Sequence, residues 1–535
     1  MKKRAGVLIG VATLTAGLLS ALPSAAQPRT DPLQETASSL KWTPCPTDDY
    51  PRLECSSVRV PLDHDAPRGQ QITLALSRVA HTAKTYQGPL LVNPGGPGAS
   101  GLTLAGFVAA SLPAATAAQY DVIGFDPRGV GKSSPALDCV PGYFDPVRPA
   151  SVPLGARDER TNRARAASFA AACGKKYGSL LRHIDTLSTA RDLDSVRKAL
   201  GARKINYFGY SYGTYLGAVY ARLFPERVRR LVLDSVVDPR GVWYDDNLSQ
   251  DLGFDARQKA FLAWTAKYDS AYHLGTDPAK VEAKWYAMQR ELRARPAGGV
   301  VGAAELEDTF LPGGYYNGYW PYLAEAFAAY ANGHDTAPLV DTYRAFAAID
   351  ASGDNGYSVY AAVQCRDARW PRDWDTWRED NQEVYKKAPF TTWNNAWYNA
   401  PCATWPVGSL KQPGLANREL PPVLLFQATD DPATPYPGGV AVHRLLRGSS
   451  LVVEQGGGNH AITLGGNACL DRYLAQYLDT GKVPRGSGHG DADAVCAKVP
   501  DPTPAAPSVT KAAGITGAAT GGAALHGLLG FTPGS

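Results

Sequence analysis

The sequence predicts an α/β fold: a mostly parallel central sheet flanked by helices and split by a mainly helical lid insertion. Three observations carry this. Short apolar runs alternate with amphipathic stretches from Leu40 to Pro239, the pattern of strands and helices in a parallel sheet. The same pattern returns from Pro422 to Glu454. Between the two halves the alternation stops, and ten of the eleven tryptophans crowd into residues 243–405.

Each strand is an apolar run between turn residues. Gly88 to Val92, Tyr120 to Phe125, Ile205 to Phe208 and Val228 to Leu233 fall in the first half. Pro422 to Gln427 and Leu451 to Glu454 fall in the second and are read as the end of the sheet. Thr189 to Leu200 sets Leu193, Val196 and Leu200 at helical spacing with charges opposite, and Leu216 to Phe224 is a further helix. In the insertion, Ala256 to Tyr272 and Lys280 to Ala294 keep the helical period. The expected division is residues 41–240 and 409–499 for the two parts of the α/β core and 241–408 for the insertion. The aromatic residues of the insertion either wall a binding cleft or build a core of their own. Residues 500–535, rich in Ala, Gly, Pro and Thr with little charge, are expected to be a flexible tail.

Compartment follows from the first residues. Lys2, Lys3 and Arg4 precede an apolar run from Ala5 to Leu22, which is short for a membrane span, and Ser24, Ala25 and Ala26 supply a cleavage pattern. Residues 1–26 therefore read as a signal peptide, with an uncleaved anchor as the minor alternative, and 27–40 as a propeptide or linker. The mature chain is expected to be secreted, with no stable membrane insertion; attachment to the cell wall through the tail stays open. Eight cysteines in neighbouring couples fit export and predict disulfides 45–55, 139–173, 365–402 and 469–496. No C-x-x-C pair occurs, which weakens zinc and redox readings. A net charge of +4 without basic blocks argues against nucleic acid as a partner. A monomer is expected.

Four motifs carry chemistry. Gly209-Tyr210-Ser211-Tyr212-Gly213 fits G-x-S-x-G with a strand before it and a helix after it, the context in which a sharp turn lifts a serine hydroxyl clear of the sheet. Asn93-Pro94-Gly95-Gly96-Pro97-Gly98 follows a strand, where glycines let backbone N–H groups face a developing oxyanion; Gly96 or its neighbour and Tyr212 would supply that hole. Thr429-Asp430-Asp431-Pro432-Ala433-Thr434-Pro435 offers the acid, and Gly458-Asn459-His460 the base. The order Ser211, Asp431, His460 is the one α/β-hydrolases use. Only one of the adjacent acids can face the histidine; Asp431, which opens the Asp-Pro-Ala-Thr-Pro loop, is preferred and Asp430 is the alternative.

These motifs, with Gly124-Phe-Asp-Pro-Arg-Gly-Val-Gly131 and Cys402-Ala-Thr-Trp-Pro406, resemble those of secreted bacterial tripeptidyl aminopeptidases among the prolyl-iminopeptidase-like serine peptidases. The resemblance spans most of the mature chain. It implies release of tripeptides or other short peptides from free N-termini through an acyl-enzyme, with no metal or organic cofactor, and a carboxylate in the insertion that pairs with the substrate's α-ammonium. Asp367 in Gln364-Cys365-Arg366-Asp367 is the candidate for that carboxylate; the alternative is a structural ion pair with Arg366 or Arg369. Two other functions stay open: an esterase or lipase on the same fold, and a non-catalytic, hydrolase-shaped surface binding protein.

Overall fold

The structure is a computed structural model describing residues 40–486, 491–504, 525–527 and 529. The signal-peptide region, and 27–39 of the expected linker, lie outside the described residues.

One sheet of ten strands organises the described residues. In chain order these are β1 (Thr43–Pro44), β2 (Glu54–Pro61), β3 (Gln71–Val79), β4 (Pro89–Asn93), β5 (Asp121–Phe125), β6 (Ile205–Tyr210), β7 (Val228–Asp234), β8 (Val423–Ala428), β9 (Ser450–Gln455) and β10 (Ala494–Ala497). Their spatial order is β1-β2-β3-β5-β4-β6-β7-β8-β9-β10. The β1/β2, β2/β3 and β3/β5 pairs are antiparallel, and every later pair is parallel. β4, β6 and β8 are buried at every residue, because helices cover both faces of the parallel part and only a continuous apolar run suits such a place.

Two differences from the sequence reading concern the sheet edges. β2 and β3 form an antiparallel ribbon whose residues are partly exposed, so Ser, Arg and Thr interrupt the apolar run. β10 pairs in parallel beyond β9, so the run at Leu451 is not the last strand. β10 is only four residues long, and Cys496 is its one buried side chain.

The insertion leaves the core after β7 and returns before β8. Its helices run from Tyr244–Lys267 to Thr392–Asn399. Trp264, Trp285 and Trp320 pack with Phe261, Phe310 and Phe327 into a separate apolar core. Trp370, Trp374, Trp377, Trp393 and Trp397 join the core against the sheet. The tryptophans are thus chiefly structural; Trp243 is the one that lines the cavity beside Ser211. All four expected disulfides are formed, and no described cysteine is free.

The tail differs from expectation where it is described. Asn317 Nδ2 donates to Asp501 Oδ1 at 2.7 Å, and Trp264 Nε1 donates to the Pro502 carbonyl at 2.8 Å. Leu525 and Leu529 are buried in the core on the Ala461 side of the sheet. The physical reason is that Leu525 and Leu529 are large apolar residues inside an otherwise small-residue segment.

Candidate active site

Ser211 stands between β6 and the helix Tyr212–Leu223, with φ 56° and ψ −128°. A non-glycine residue held at positive φ is strained, and the surrounding chain must over-determine it. It does: Ser211 N donates to the Asp234 carbonyl at 3.0 Å, and Thr214 N donates to the Ser211 carbonyl at 2.8 Å. The flanking glycines are required by space. A Cβ on Gly209 would sit 2.4 Å from the Gly213 carbonyl oxygen, and one on Gly213 would sit 2.7 Å from Asn93 Oδ1.

The glycine loop after β4 approaches the same turn. Gly95, Gly96 and Gly98 all have positive φ, and a Cβ on Gly95 would come within 2.9 Å of the Ser211 Cβ. Asn93 Oδ1 accepts from Gly95 N at 3.1 Å and fixes the loop's start. Asp126 Oδ1 accepts from Gly101 N at 3.2 Å beyond the loop's end, and burial pushes that carboxyl above its ordinary range. Gly96, Ser211 and Tyr212 line one cavity of about 470 Å³.

His460 and Asp431 meet behind that cavity. His460 Nδ1 lies 2.9 Å from both carboxylate oxygens of Asp431. The Asp431 carboxylate also accepts from Ala433 N and Thr434 N at 3.0 Å each and from Thr434 Oγ1 at 2.9 Å. Thr434 lines the Ser211 cavity, and its Oγ1 stands 3.3 Å from His460 Nδ1. Asp430, by contrast, is exposed. The carboxylate hydrogen-bonded to Nδ1 fixes the ring's tautomer and can stabilise an imidazolium.

Sequence reasoning missed three supports of this arrangement. Asp234, at the end of β7, accepts from Ile462 N at 3.1 Å, from Thr463 N at 2.7 Å and from the Thr463 hydroxyl, and so holds the loop after His460. Burial raises its carboxyl to about 6. Tyr315 of the insertion accepts from His460 N at 2.9 Å, and Asn317 N donates to Asn459 Oδ1 at 3.0 Å. No motif marks these contacts, because they join segments more than a hundred residues apart.

Asp367 does not reach the cavity. Its side chain is 0% exposed and accepts from Thr186 N at 2.9 Å, from Thr186 Oγ1 at 2.5 Å and from Gln412 Nε2 at 3.2 Å. Thr186 Oγ1 in turn meets the Tyr212 hydroxyl at 2.7 Å, so Asp367 is linked through Thr186 to the residue after Ser211. Nor does it pair with Arg366, whose Nε donates to the Arg182 carbonyl. Burial lifts its carboxyl to about 7, helped by the nearby charge of Asp185.

A different acid faces the cavity. Asp246, in the first turn of the helix Tyr244–Lys267, lines it together with Asp238. Asp238 is already paired with Arg240, at 2.8 Å and 2.6 Å. Asp246 Oδ2 is buried with no hydrogen-bond partner among the described residues. Burial, then the charges of Asp238 and Asp245, hold its carboxyl well above the ordinary range. In the sequence, paired acids in a first turn read only as partners for the helix dipole. No group of three or more His, Cys, Asp or Glu able to hold a metal occurs among the described residues.

Comparison with known proteins agrees with this geometry. The family described as alpha/beta hydrolase fold matches residues 88–465. A tripeptidyl aminopeptidase of Streptomyces lividans is 44% identical over 485 residues, 87% of this chain and 88% of that protein. Serine protease Hip1 of Mycobacterium tuberculosis is 32% identical over 474 residues, covering 83% and 89%. Carboxylesterase B of the same organism is 34% identical over 504 residues, covering 87% and 95%. With a strained serine beside a glycine loop, a buried histidine–aspartate pair bonded to Thr434 of the cavity wall, and these relatives, the chain belongs to the α/β-hydrolase family as a serine peptidase.

Proposed function

We propose that the protein is an exported exopeptidase that releases tripeptides, or other short peptides, from free N-termini, with Ser211, His460 and Asp431 as its catalytic triad. The observation that carries this reading is the cavity shared by Ser211 and Asp246: a candidate nucleophile at one place on its wall and, at another, a carboxylate whose Oδ2 is buried with no hydrogen-bond partner among the described residues. A carboxylate in such a place needs a cation, and the α-ammonium of a peptide is one. The tripeptidyl aminopeptidase likeness supports a length of three residues.

The proposed chemistry is acyl transfer through a covalent acyl-enzyme. His460 Nε2 takes the Ser211 proton as Oγ adds to the third peptide carbonyl, while Asp431 holds Nδ1 and stabilises the imidazolium. The N–H groups of Gly96 and Tyr212 receive the oxyanion. His460 then protonates the leaving amine, the peptide C–N bond breaks, and a water activated by the same histidine releases the tripeptide from Ser211. No step calls for a metal or an organic cofactor. Four disulfides, and no described helix long and apolar enough to cross a membrane, are consistent with work outside the cell.

The test is hydrolysis of a free-amine Ala-Pro-Ala chromogenic amide against its acetylated form, by wild type, Ser211→Ala and Asp246→Asn. Cleavage of the free form alone, lost in Ser211→Ala, is the expected result. Asp246→Asn is expected to raise KM for the free form about tenfold, the worth of one charge-assisted bond. Equal cleavage of both forms by wild type would sink the exopeptidase reading. The carboxylesterase B likeness favours a second reading, an esterase with the same triad. A kcat/KM for p-nitrophenyl acetate exceeding that for every peptide would favour it.

A further inference from the structure

Two helices of the insertion contribute to the wall of the Ser211 cavity. Asp246, Asn247 and Gln250 come from the helix Tyr244–Lys267, and Tyr360 and Gln364, one turn apart, from the helix Ala351–Asp367. Several polar side chains of this wall are taken up by protein partners. Asn247 Nδ2 donates to the Trp243 carbonyl at 2.9 Å, Gln250 Nε2 to the Ala433 carbonyl at 2.7 Å, and the Tyr360 hydroxyl to Asn399 Oδ1 at 2.9 Å. Gln364 differs from them. It is 4% exposed, and its Oε1 is buried with no hydrogen-bond partner among the described residues, the same condition as Asp246 Oδ2. The Trp243 indole N–H also has no partner within ordinary hydrogen-bond reach, but it favours the charged form of Asp367 and so belongs with that carboxyl.

Their neighbours bring Gln364 toward Asp246. The Tyr360 hydroxyl, one turn before Gln364, also reaches Asn247 Oδ1, next to Asp246, at 3.5 Å. Asp367, one turn after Gln364, and Asp246 both act with their charges on the Tyr215 hydroxyl. The cavity wall thus carries two buried acceptor atoms without donors, one on a carboxyl and one on a neutral amide. A buried acceptor left without its bond is costly, and a ligand that supplies the donor recovers that cost. A carboxylate oxygen takes one N–H in line, whereas an ammonium carries three donors and no acceptor. The Gln364 amide can turn either end to the cavity, and an ammonium selects its oxygen.

We infer that Gln364 Oε1 is a second acceptor for the substrate's α-ammonium beside Asp246, so that the site counts N–H donors as well as charge. The inference rests on the exopeptidase reading above and deepens it. A primary ammonium serves both acceptors with a donor to spare, and a secondary one, a leading proline included, still serves both. A dimethylated chain end keeps its charge but has a single N–H, and it leaves one acceptor bare.

The test is a methyl ladder on one substrate, the Ala-Pro-Ala chromogenic amide with a primary, monomethyl, dimethyl or acetylated α-nitrogen. It is run at about pH 6.5, below the ordinary α-amino value, so that the three amines are charged. Wild type, Gln364→Met and Gln364→Glu are compared, and the rate at which a small fluorophosphonate labels Ser211 reports on the fold of each. For wild type, KM is expected to change little from primary to monomethyl and to rise about tenfold at dimethyl, the worth of one hydrogen bond to a charged group. Gln364→Met is expected to raise KM for the primary amine about tenfold, with kcat within about twofold and no further step at dimethyl. Gln364→Glu, which keeps an acceptor, should keep the step. A wild-type KM for the primary amine in Gln364→Met, or a dimethyl step that survives in it, would overturn the inference. So would a flat ladder in wild type, a result that needs no variant to fold. A flat ladder with the acetylated form still refused removes Gln364 alone and leaves the reading with Asp246 standing, whereas equal cleavage of the acetylated form removes both.

Discussion

At the residue scale, the Asp431–His460 pair makes the sharpest predictions. Asp431→Asn keeps the shape but lets the side-chain amide face Nδ1, which favours the wrong tautomer of His460; kcat is expected to fall about 10⁴-fold with KM little changed. Thr434 Oγ1 donates to the same carboxylate and lies against the imidazole. Thr434→Val keeps the volume and removes that bond. A hydrogen bond to a charged group is worth about 1.5–3 kcal/mol, so kcat is expected to drop about ten- to a hundredfold, while peptide KM stays within about twofold. A Thr434→Val enzyme with wild-type kcat would show that the threonine only fills space. Ser211, Asp431, His460 and the glycine loop were legible in the sequence because each lies in a short motif directly after a strand. Asp246 was not, since its role depends on what the cavity brings opposite it. Asp367 was misplaced for the same reason: position beside a disulfide says nothing about which way a carboxylate points, and this one turns to Thr186.

At the scale of elements, the helix Ala303–Phe310 concentrates a different kind of strain. It buries Glu305, Glu307 and Asp308. One guanidinium, Arg148, reaches Glu305 at 3.0 Å and also bonds Asp308. Glu307 accepts from Gln289 Nε2 at 2.7 Å, and burial raises its carboxyl to about 8. Its folded value lies above its unfolded one, so the stabilising contribution is full below the ordinary carboxylate range and is lost as pH climbs through about 8. Asp367 has the same sign, its contribution lost progressively above the ordinary carboxylate range and gone above about 7. The melting temperature is therefore expected to fall between about pH 5 and pH 8, and Glu307→Gln to recover about 2 °C or more of that fall. Identical pH profiles for the two proteins would refute this account. The buried parallel strands were the most legible elements, because burial on both faces leaves an uninterrupted apolar run such as Val423–Ala428. The antiparallel strands β2 and β3 were not, because their exposed positions admit Ser57 and Arg59 among the valines and so break the run.

At the scale of the whole molecule, four covalent links divide the work of holding the chain together. Cys139–Cys173 and Cys365–Cys402 close loops of 34 and 37 residues, whereas Cys45–Cys55 closes one of 10. Loop-closure entropy assigns about 4 kcal/mol to each of the long ones and about 3 to the short one. Replacing both cysteines of the 365–402 link by serine is thus expected to lower stability by about 4 kcal/mol in denaturant unfolding, and the 45–55 replacement by less. An order reversed between the two would mean that local strain or unfolded-state structure, not loop length, governs them. The tail shows where composition misleads at this scale. A run of Ala, Gly and Thr promises nothing, yet the few leucines inside it are enough to find a buried place.

The bond from His460 N to the Tyr315 carbonyl, together with that from Asn317 N to Asn459, ties the insertion directly to the loop that carries His460. A lid so attached cannot swing aside without dragging the histidine away from Asp431. If His460 is the base proposed above, opening would switch the enzyme off, and substrates would thread through gaps that exist while these bonds are made. On the exopeptidase reading proposed above, such an enzyme would work as a sieve on chain ends: a loose, unfolded terminus passes, and a terminus packed into a folded protein is turned away whatever its sequence.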